Sequence, residues 1–140
     1  MTAPGEIVRK MESCRPYYDR LVSLHDQVIT RDPEDWMFWG TVERNLQLAL
    51  ECAIDAGEMV ISWKRWGFVE ENKDVMRVLG KHGVLPQPLA ERMASAAGLR
   101  NALVHRYGTI DVESVRRAVL HDLKDLDAFA KAVARFVQAA

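Results

Sequence analysis

Apolar residues recur at helical spacing along most of this chain. In the first segment, from about residue 6 to residue 30, they fall at steps of three, four or seven, which places them on one face of a helix. These positions are Ile7, Met11, Tyr18, Leu21, Leu24 and Val28. Pro16 interrupts the pattern and predicts a kink or a restart near Cys14–Arg15. A charged run ends this segment, and Asp32 or Asp35 is expected to cap the next helix.

A wide apolar stripe predicts a second, long helix from about Asp35 to Trp66. Small residues at Ala53, Ala56 and Gly57 suit a close crossing with another helix, because they let two backbones approach each other. Gly67 is the predicted terminator of this helix.

Three further patterns complete a prediction of about five helices joined by short loops. A third helix covers residues 72–79, and a fourth runs from Pro88 to Tyr107 and ends at Gly108. Asp111 is expected to cap a fifth helix, whose apolar stripe extends to Phe136. No segment alternates with period two for long enough to predict a strand. The pattern therefore predicts an all-α protein, with residues 1–140 forming a single domain built as an up-and-down helical bundle.

Composition and charge exclude some classes of function but do not identify one. With 140 residues and a formal net charge of −1, the chain has no global basic field, so any attraction to nucleic acid must come from a local patch. No signal peptide is expected, and no window approaches about 18 uninterrupted apolar residues. Cys14 and Cys52 lack metal-type spacing and are expected to be free thiols in a reducing compartment. We therefore expect a cytoplasmic protein with no membrane segment.

The end of the fourth predicted helix concentrates side chains that can bind phosphate and move protons. Asn101 and His105 are four residues apart and share a face, and Arg100 and Tyr107 are seven apart and share a neighbouring stripe. Arg100 and His105 lie about 140° apart around the axis, so one helix does not hold a phosphate well between them. Two copies of the helix facing each other across a dimer axis would do so better, which predicts a homodimer with the site at its seam.

These residue types suffice for cleaving RNA without a metal. His105 lies in the last helical turn, where the helix dipole favours imidazolium, and Asn101 is placed to fix its tautomer. Arg100 offers a planar, permanently charged fork for a phosphate. The ribose 2′-hydroxyl would attack the adjacent phosphorus, with His105 as general base or acid. On spacing alone, however, an arginine and a histidine near a helix end are more often surface residues than a catalytic pair.

The pattern Arg100-x4-His105-x-Tyr107, preceded by Gly98–Leu99 and with an asparagine directly after the arginine, resembles the motif of the HepT-type HEPN toxins. Residues 42–50, followed by Ala53–Ile54–Asp55, are similar to the second helix of that family. The run Thr109–Ile110–Asp111, which leads into the final helix, also agrees. The resemblance extends over roughly residues 35–130.

The resemblance implies a homodimeric, HEPN-like helical bundle in which the Arg/His pairs of two protomers form a metal-independent endoribonuclease site. It implies the toxin of a toxin–antitoxin pair, of a type II-like or type VII system, with RNA as substrate and tRNA as the family-level expectation. The implied partner is a small nucleotidyltransferase antitoxin, which itself uses ATP and Mg and transfers AMP onto the motif tyrosine, here Tyr107. A nucleotide there would occupy Arg100 and silence the toxin. The alternative for Tyr107 is an aromatic that packs under the next loop.

Other polar and aromatic residues indicate the site less specifically than the motif does. Arg44 and Asp55 fall where the polar residues of the family's second helix fall, and Arg106 lies within the motif; a solvated or intrahelix-paired face explains Arg44 and Asp55 equally well. Tryptophans 36, 39, 63 and 66 are expected in the core or at a dimer interface rather than as base-stacking platforms. The remaining histidines, His25, His82 and His121, have no carboxylate or cysteine at ligand spacing, so no metal site is predicted.

Two other functions are compatible with the sequence. The first is a non-catalytic helical module that binds the partner or substrate of a nucleotidyltransferase complex. The second is a purely structural interaction protein, which predicts an apolar, closed seam around Arg100 and His105 rather than an open polar groove.

Overall fold

The computed structural model describes residues 4–105 and 109–139, and for residues 104 and 105 the backbone alone. These described residues form seven α-helices and no strand, which confirms the predicted all-α class. The helices are α1 (Pro4–Leu24), α2 (Gln27–Thr30), α3 (Trp36–Lys64), α4 (Asn72–Lys81), α5 (Gln87–His105), α6 (Val112–His121) and α7 (Leu123–Ala139). The count exceeds the predicted five because the first and the last predicted helices are each divided.

The break between α1 and α2 does not lie at Pro16, where the sequence predicted a kink or a restart. Helix α1 continues through Pro16, so the restart predicted at Cys14–Arg15 is wrong, and the chain breaks instead at residues 25–26. Ile7 and Leu21, on either side of the proline, are both completely buried. Packing of α1 along α3 therefore holds the helix together although Pro16 cannot donate a backbone hydrogen bond.

The second division separates α6 from α7 at Asp122, within what the pattern predicted to be one helix. Asp122 keeps right-handed helical dihedrals, with φ −100° and ψ −12°. Because the backbone hardly leaves the helical region there, the apolar spacing continues across the break from Val119 to Phe129. Periodicity alone could not reveal the division.

Helix α3 lies at the centre of the molecule and contacts α1, α4, α5, α6 and α7. It begins as predicted at an aspartate cap, because the Asp35 carboxylate accepts a hydrogen bond from the Phe38 amide at 3.2 Å. It ends earlier than predicted. Arg65, not Gly67, takes the left-handed conformation that closes the helix, with φ 58°.

The tryptophans divide between core and surface. Trp39 is completely buried and donates its indole N–H to the Asp32 carbonyl at 2.9 Å. Trp63 contacts the edge of Phe136, and Trp66 stacks on His82 with ring centroids 3.9 Å apart. The core expectation is confirmed for these three. Trp36 is instead 74% exposed.

Both cysteines are free, as predicted. Burial raises the pKa of the Cys14 thiol, and its hydrogen bond with the neighbouring Cys52 raises it further. Within the described residues, every helix is too short or too polar to cross a membrane.

Helices α4 and α5 form an antiparallel hairpin that places the start of α4 beside the end of α5. The hairpin is close because Gly80, near the end of α4, faces Ala90 in the first turns of α5. A Cβ atom on Gly80 would lie only 2.6 Å from the Ala90 Cβ. At its other end the same hairpin brings Asn72 to Asn101, so this packing positions part of the candidate site.

We expect Gly80→Ala to lower the free energy of unfolding by about 2 kcal/mol, because the new methyl group can be accommodated only by moving backbone. The matched control is Gly40→Ala in α3, where a Cβ would meet nothing within 4 Å. That change should raise stability by about 0.5 to 1 kcal/mol through helix propensity. Urea denaturation followed by circular dichroism measures both, and equal effects at the two glycines would contradict the close approach.

Candidate active site

Arg100 lies near the end of α5 and points toward the middle of α3. Its Nη2 donates to Oε1 of Glu51 at 2.9 Å, and its Nη1 donates to Oδ1 of Asn101 at 3.2 Å. About a quarter of the side chain, 26%, remains exposed. The guanidinium group is therefore held in one orientation while solvent still reaches part of it.

One donor of Arg100 has no acceptor. The Nε atom is buried, and no described residue accepts a hydrogen bond from it. A buried donor left unpaired costs about 1 to 3 kcal/mol, so proteins seldom retain one without a reason. A ligand that brings an anionic oxygen to this edge of the guanidinium would remove that cost.

Asn101 links α5 to α4 through one oxygen. Its Oδ1 accepts from Arg100 and also from Nδ2 of Asn72, at the start of α4, at 3.1 Å. Only its amide NH2 therefore remains to act on a neighbouring imidazole. The predicted partner, the side chain of His105, lies outside the described residues.

The sequence analysis missed Glu51, Asn72 and Gln47. Gln47 lies one turn before Glu51 and donates to the same Oε1 atom at 3.1 Å. A signal for Glu51 was present in the sequence, because it is seven residues from both Arg44 and Glu58 and so shares their helix face. Asn72 carried no local signal, since only the α4–α5 packing brings it to Asn101.

Glu51, Asn72 and Arg100 border a cavity of about 160 Å³ between α3, α4 and α5. Its walls are formed by Glu51, Ile54, Asp55, Glu58, Asn72 and Arg100. The surroundings of Arg100 are therefore polar, whereas a purely structural protein predicts an apolar seam there. Within the described residues, no three His, Cys, Asp or Glu side chains are arranged to hold a metal ion.

The acidic wall of the cavity is partly neutralised from α1. Lys10 Nζ lies 3.2 Å from Oδ2 of Asp55. Burial opposes the charge of Lys10, but the hydrogen bond and the negative charge of Asp55 outweigh it and raise the pKa of the lysine. Burial, together with the nearby charge of Asp55, raises the pKa of Glu58. Glu51 is instead neutralised directly by Arg100.

The structure thus brings together Arg100, Asn101 and Asp55 among the predicted site residues. Arg44 is exposed on the same face of α3, about 10 Å from Glu51 along the helix axis, and does not line the cavity. Arg106 and Tyr107 lie outside the described residues, as does the side chain of His105.

Comparison with known proteins assigns the chain to a family. A family model described as "Ribonuclease HepT-like" matches residues 17–133, which include the whole motif from Arg100 to Tyr107. The chain belongs to the HepT-like ribonuclease family. The resemblance to HepT-type HEPN toxins is therefore confirmed, and so is the prediction of a HEPN-type ribonuclease.

Two curated relatives carry nuclease names. The mRNA nuclease HepT of Shewanella oneidensis is 28% identical over 96 residues, which cover 69% of this chain and 72% of the relative. The tRNA nuclease HepT of Aphanizomenon flos-aquae is 32% identical over 115 residues, which cover 82% of this chain and 70% of the relative.

Solved structures show the fold of this HepT-like chain. A tri-AMPylated Shewanella oneidensis HEPN toxin in complex with its MNT antitoxin superposes with a TM-score of 0.83 at 23% identity, over 96% of this chain and 99% of the toxin. The cytosolic protein YutE of Bacillus subtilis superposes with a TM-score of 0.79 at 19% identity, over 94% of this chain and 90% of YutE. The predicted HEPN-like architecture is confirmed.

Proposed function

We propose that this HepT-like chain is the toxin of a toxin–antitoxin pair and cleaves RNA without a metal at a site formed by two copies of the chain. In this proposal Arg100 binds the scissile phosphate. The observation that carries it is the Arg100 guanidinium, which borders a polar cavity with its Nε buried and without an acceptor among the residues that the structure describes. The match of residues 17–133 to a ribonuclease family supports RNA as the substrate class in this proposal.

The chemistry follows from what each group can do. The ribose 2′-oxygen attacks the adjacent phosphorus, the bond to the leaving 5′-oxygen breaks, and the products are a 2′,3′-cyclic phosphate and a 5′-hydroxyl. His105 of one protomer takes the proton of the attacking hydroxyl, Arg100 of the other protomer contacts the phosphate, and the leaving oxygen takes its proton from water. Arg100 stabilises the negative charge that develops on the non-bridging oxygens. Asn101 positions Arg100 through its oxygen.

The two-copy site follows from helix geometry. By helical spacing, positions 100 and 105 lie about 140° apart around one axis, which favours a phosphate held between two copies of the helix over one held by a single copy. A twofold axis beside this part of α5 supplies it with the same residues. Arg106, and Arg44 on the exposed face of α3, would then form the basic rim that guides the RNA chain.

The names of the relatives favour an RNA substrate, but they differ in the class of RNA. One related HepT is named an mRNA nuclease and another, the more similar in sequence over its matched length, a tRNA nuclease. We propose tRNA as the first substrate to test. RNA cleavage beside a partner that consumes ATP belongs in the cytoplasm, where we place the pair.

We further propose that a nucleotidyltransferase antitoxin silences this toxin by transferring AMP to Tyr107. Support comes from the related toxin structure, which is described as AMPylated and bound to its antitoxin. Tyr107 follows Arg100 by seven residues, so both side chains project from one stripe if the helical spacing continues. The phosphate of the added AMP would then compete with RNA for the same guanidinium group.

The first test is RNA cleavage by purified protein in the presence of EDTA. Arg100→Ala and His105→Ala should each lower the cleavage rate by at least about 100-fold, because each removes a group that acts in the transition state. Arg117→Ala, an exposed arginine on α6, is the matched control and should cleave normally. Normal cleavage by His105→Ala, or loss of cleavage in EDTA, would contradict the proposed mechanism.

The shared site predicts complementation between two inactive variants. When Arg100→Ala and His105→Ala proteins are unfolded together and refolded, half of the dimers should be mixed and each should contain one intact Arg/His pair across the seam. Activity should therefore recover to about a quarter of the wild-type value. Two sites contained within single protomers would give no recovery.

The modification is tested by intact mass after co-expression with a nucleotidyltransferase antitoxin of the MNT type. Wild-type protein should gain the mass of one or more AMP units and lose nuclease activity, because the added phosphate occupies Arg100. Tyr107→Phe should gain no mass and remain active despite the antitoxin. Tyr17→Phe is the matched control, and a mass gain that persists in Tyr107→Phe would place the acceptor elsewhere.

A further inference from the structure

We propose that Glu51 is a positioning residue that occupies Arg100 in the resting protein and is displaced by the RNA phosphate. The inference rests on the proposed function of Arg100 as the phosphate-binding residue. It adds a built-in competitor, a carboxylate of this chain that the RNA must replace. RNA affinity then depends on how much more strongly the guanidinium group binds the RNA phosphate than it binds the Glu51 carboxylate.

The contact is well placed to hold the guanidinium. Glu51 Oε1 lies 2.9 Å from Nη2 of Arg100, and only 26% of the arginine and 28% of the glutamate side chains are exposed. Gln47 donates to the same oxygen and fixes the carboxylate on α3. A half-buried ion pair with a second hydrogen bond is stronger than an exposed surface pair.

The contact between Glu51 and Arg100 is nevertheless not bidentate. In a bidentate arrangement the two carboxylate oxygens would take two neighbouring N–H groups of the guanidinium. Here one oxygen takes Nη2, while the adjacent Nε is buried without an acceptor among the described residues. An interaction formed only for stability would be expected to satisfy Nε as well.

The unpaired Nε identifies the edge that a phosphate would use. Nε and Nη2 project side by side, so a phosphate that reaches Nε with one oxygen brings a second oxygen to Nη2. Glu51 holds Nη2, and a carboxylate and a phosphate repel each other at that distance. The phosphate must therefore displace Glu51, whereas the Asn101 contact on Nη1 can persist and keep the guanidinium oriented.

The displacement has a measurable consequence. Removal of the Glu51 charge should strengthen RNA binding, because the phosphate no longer competes with a carboxylate. It should also steepen the dependence of binding on salt, since an Arg100 not neutralised by Glu51 exchanges a solution anion for the phosphate. For single-stranded RNA one additional phosphate contact changes the logarithmic slope by roughly 0.7.

The test measures binding of a fluorescent single-stranded 2′-O-methyl RNA, which lacks the attacking hydroxyl and so survives contact with the full-length active protein. Glu51→Gln should bind it about fivefold more tightly than wild type, with a steeper salt slope. Glu51→Asp, which keeps the charge, should stay within about twofold. Glu58→Gln is the matched control: it removes the same charge from the same cavity wall and should change affinity by less than about twofold.

Arg100 variants separate this inference from the proposed function. Arg100→Ala should weaken binding, and Glu51→Gln should give no gain when added to it. Suppose that Arg100→Ala weakens RNA binding but Glu51→Gln does not raise RNA affinity above that of wild type and of Glu58→Gln. Glu51 is then not a competitor of the phosphate, and only the inference fails. If Arg100→Ala leaves binding unchanged, both fail. Thermal unfolding checks each variant, and Glu51→Ser replaces Glu51→Gln if the latter is not folded.

Discussion

The burial of α3 is the constraint on which the rest of the structure depends. Its buried residues extend from Trp39 to Ile61 and face five other helices, so the helix is enclosed on most of its circumference. A helix that is apolar nearly all round is stable only inside such a shell. The exception is one polar stripe, formed by Arg44, Gln47, Glu51, Asp55 and Glu58. Because that stripe cannot be buried without partners, it determines where a polar cavity can lie.

The cavity exists because α5 and α4 present polar groups to that stripe. Arg100 meets Glu51, and Asn101 joins Arg100 to Asn72. The close approach of Gly80 to Ala90 at the far end of the hairpin fixes how α4 lies on α5. The geometry at the arginine therefore depends on packing about eight residues away along α4 and ten residues away along α5.

Charge at the site is balanced locally. One arginine on α5 and one lysine on α1 face three carboxylates of α3, so a single copy of the cavity carries no excess of positive charge. This agrees with the net charge of −1 for the whole chain and leaves no strong field to attract RNA. In the proposed function, RNA binding then depends on specific donors, above all the Arg100 edge that ends in a buried Nε. A second copy of the chain would add a second such arginine.

The sequence by itself determined the helical class, a cap at Asp32 or Asp35, the cap at Asp111, and the family motif from Arg100 to Tyr107. Caps and apolar periodicity depend on residues within about four positions of one another, so a local pattern contains them. Only the tertiary structure decided that α1 continues through Pro16 and that α6 and α7 divide at Asp122. It alone placed Glu51 on Arg100, 49 residues later, and Asn72 on Asn101, 29 residues later. Those contacts arise from packing between helices, and no spacing along the chain encodes them.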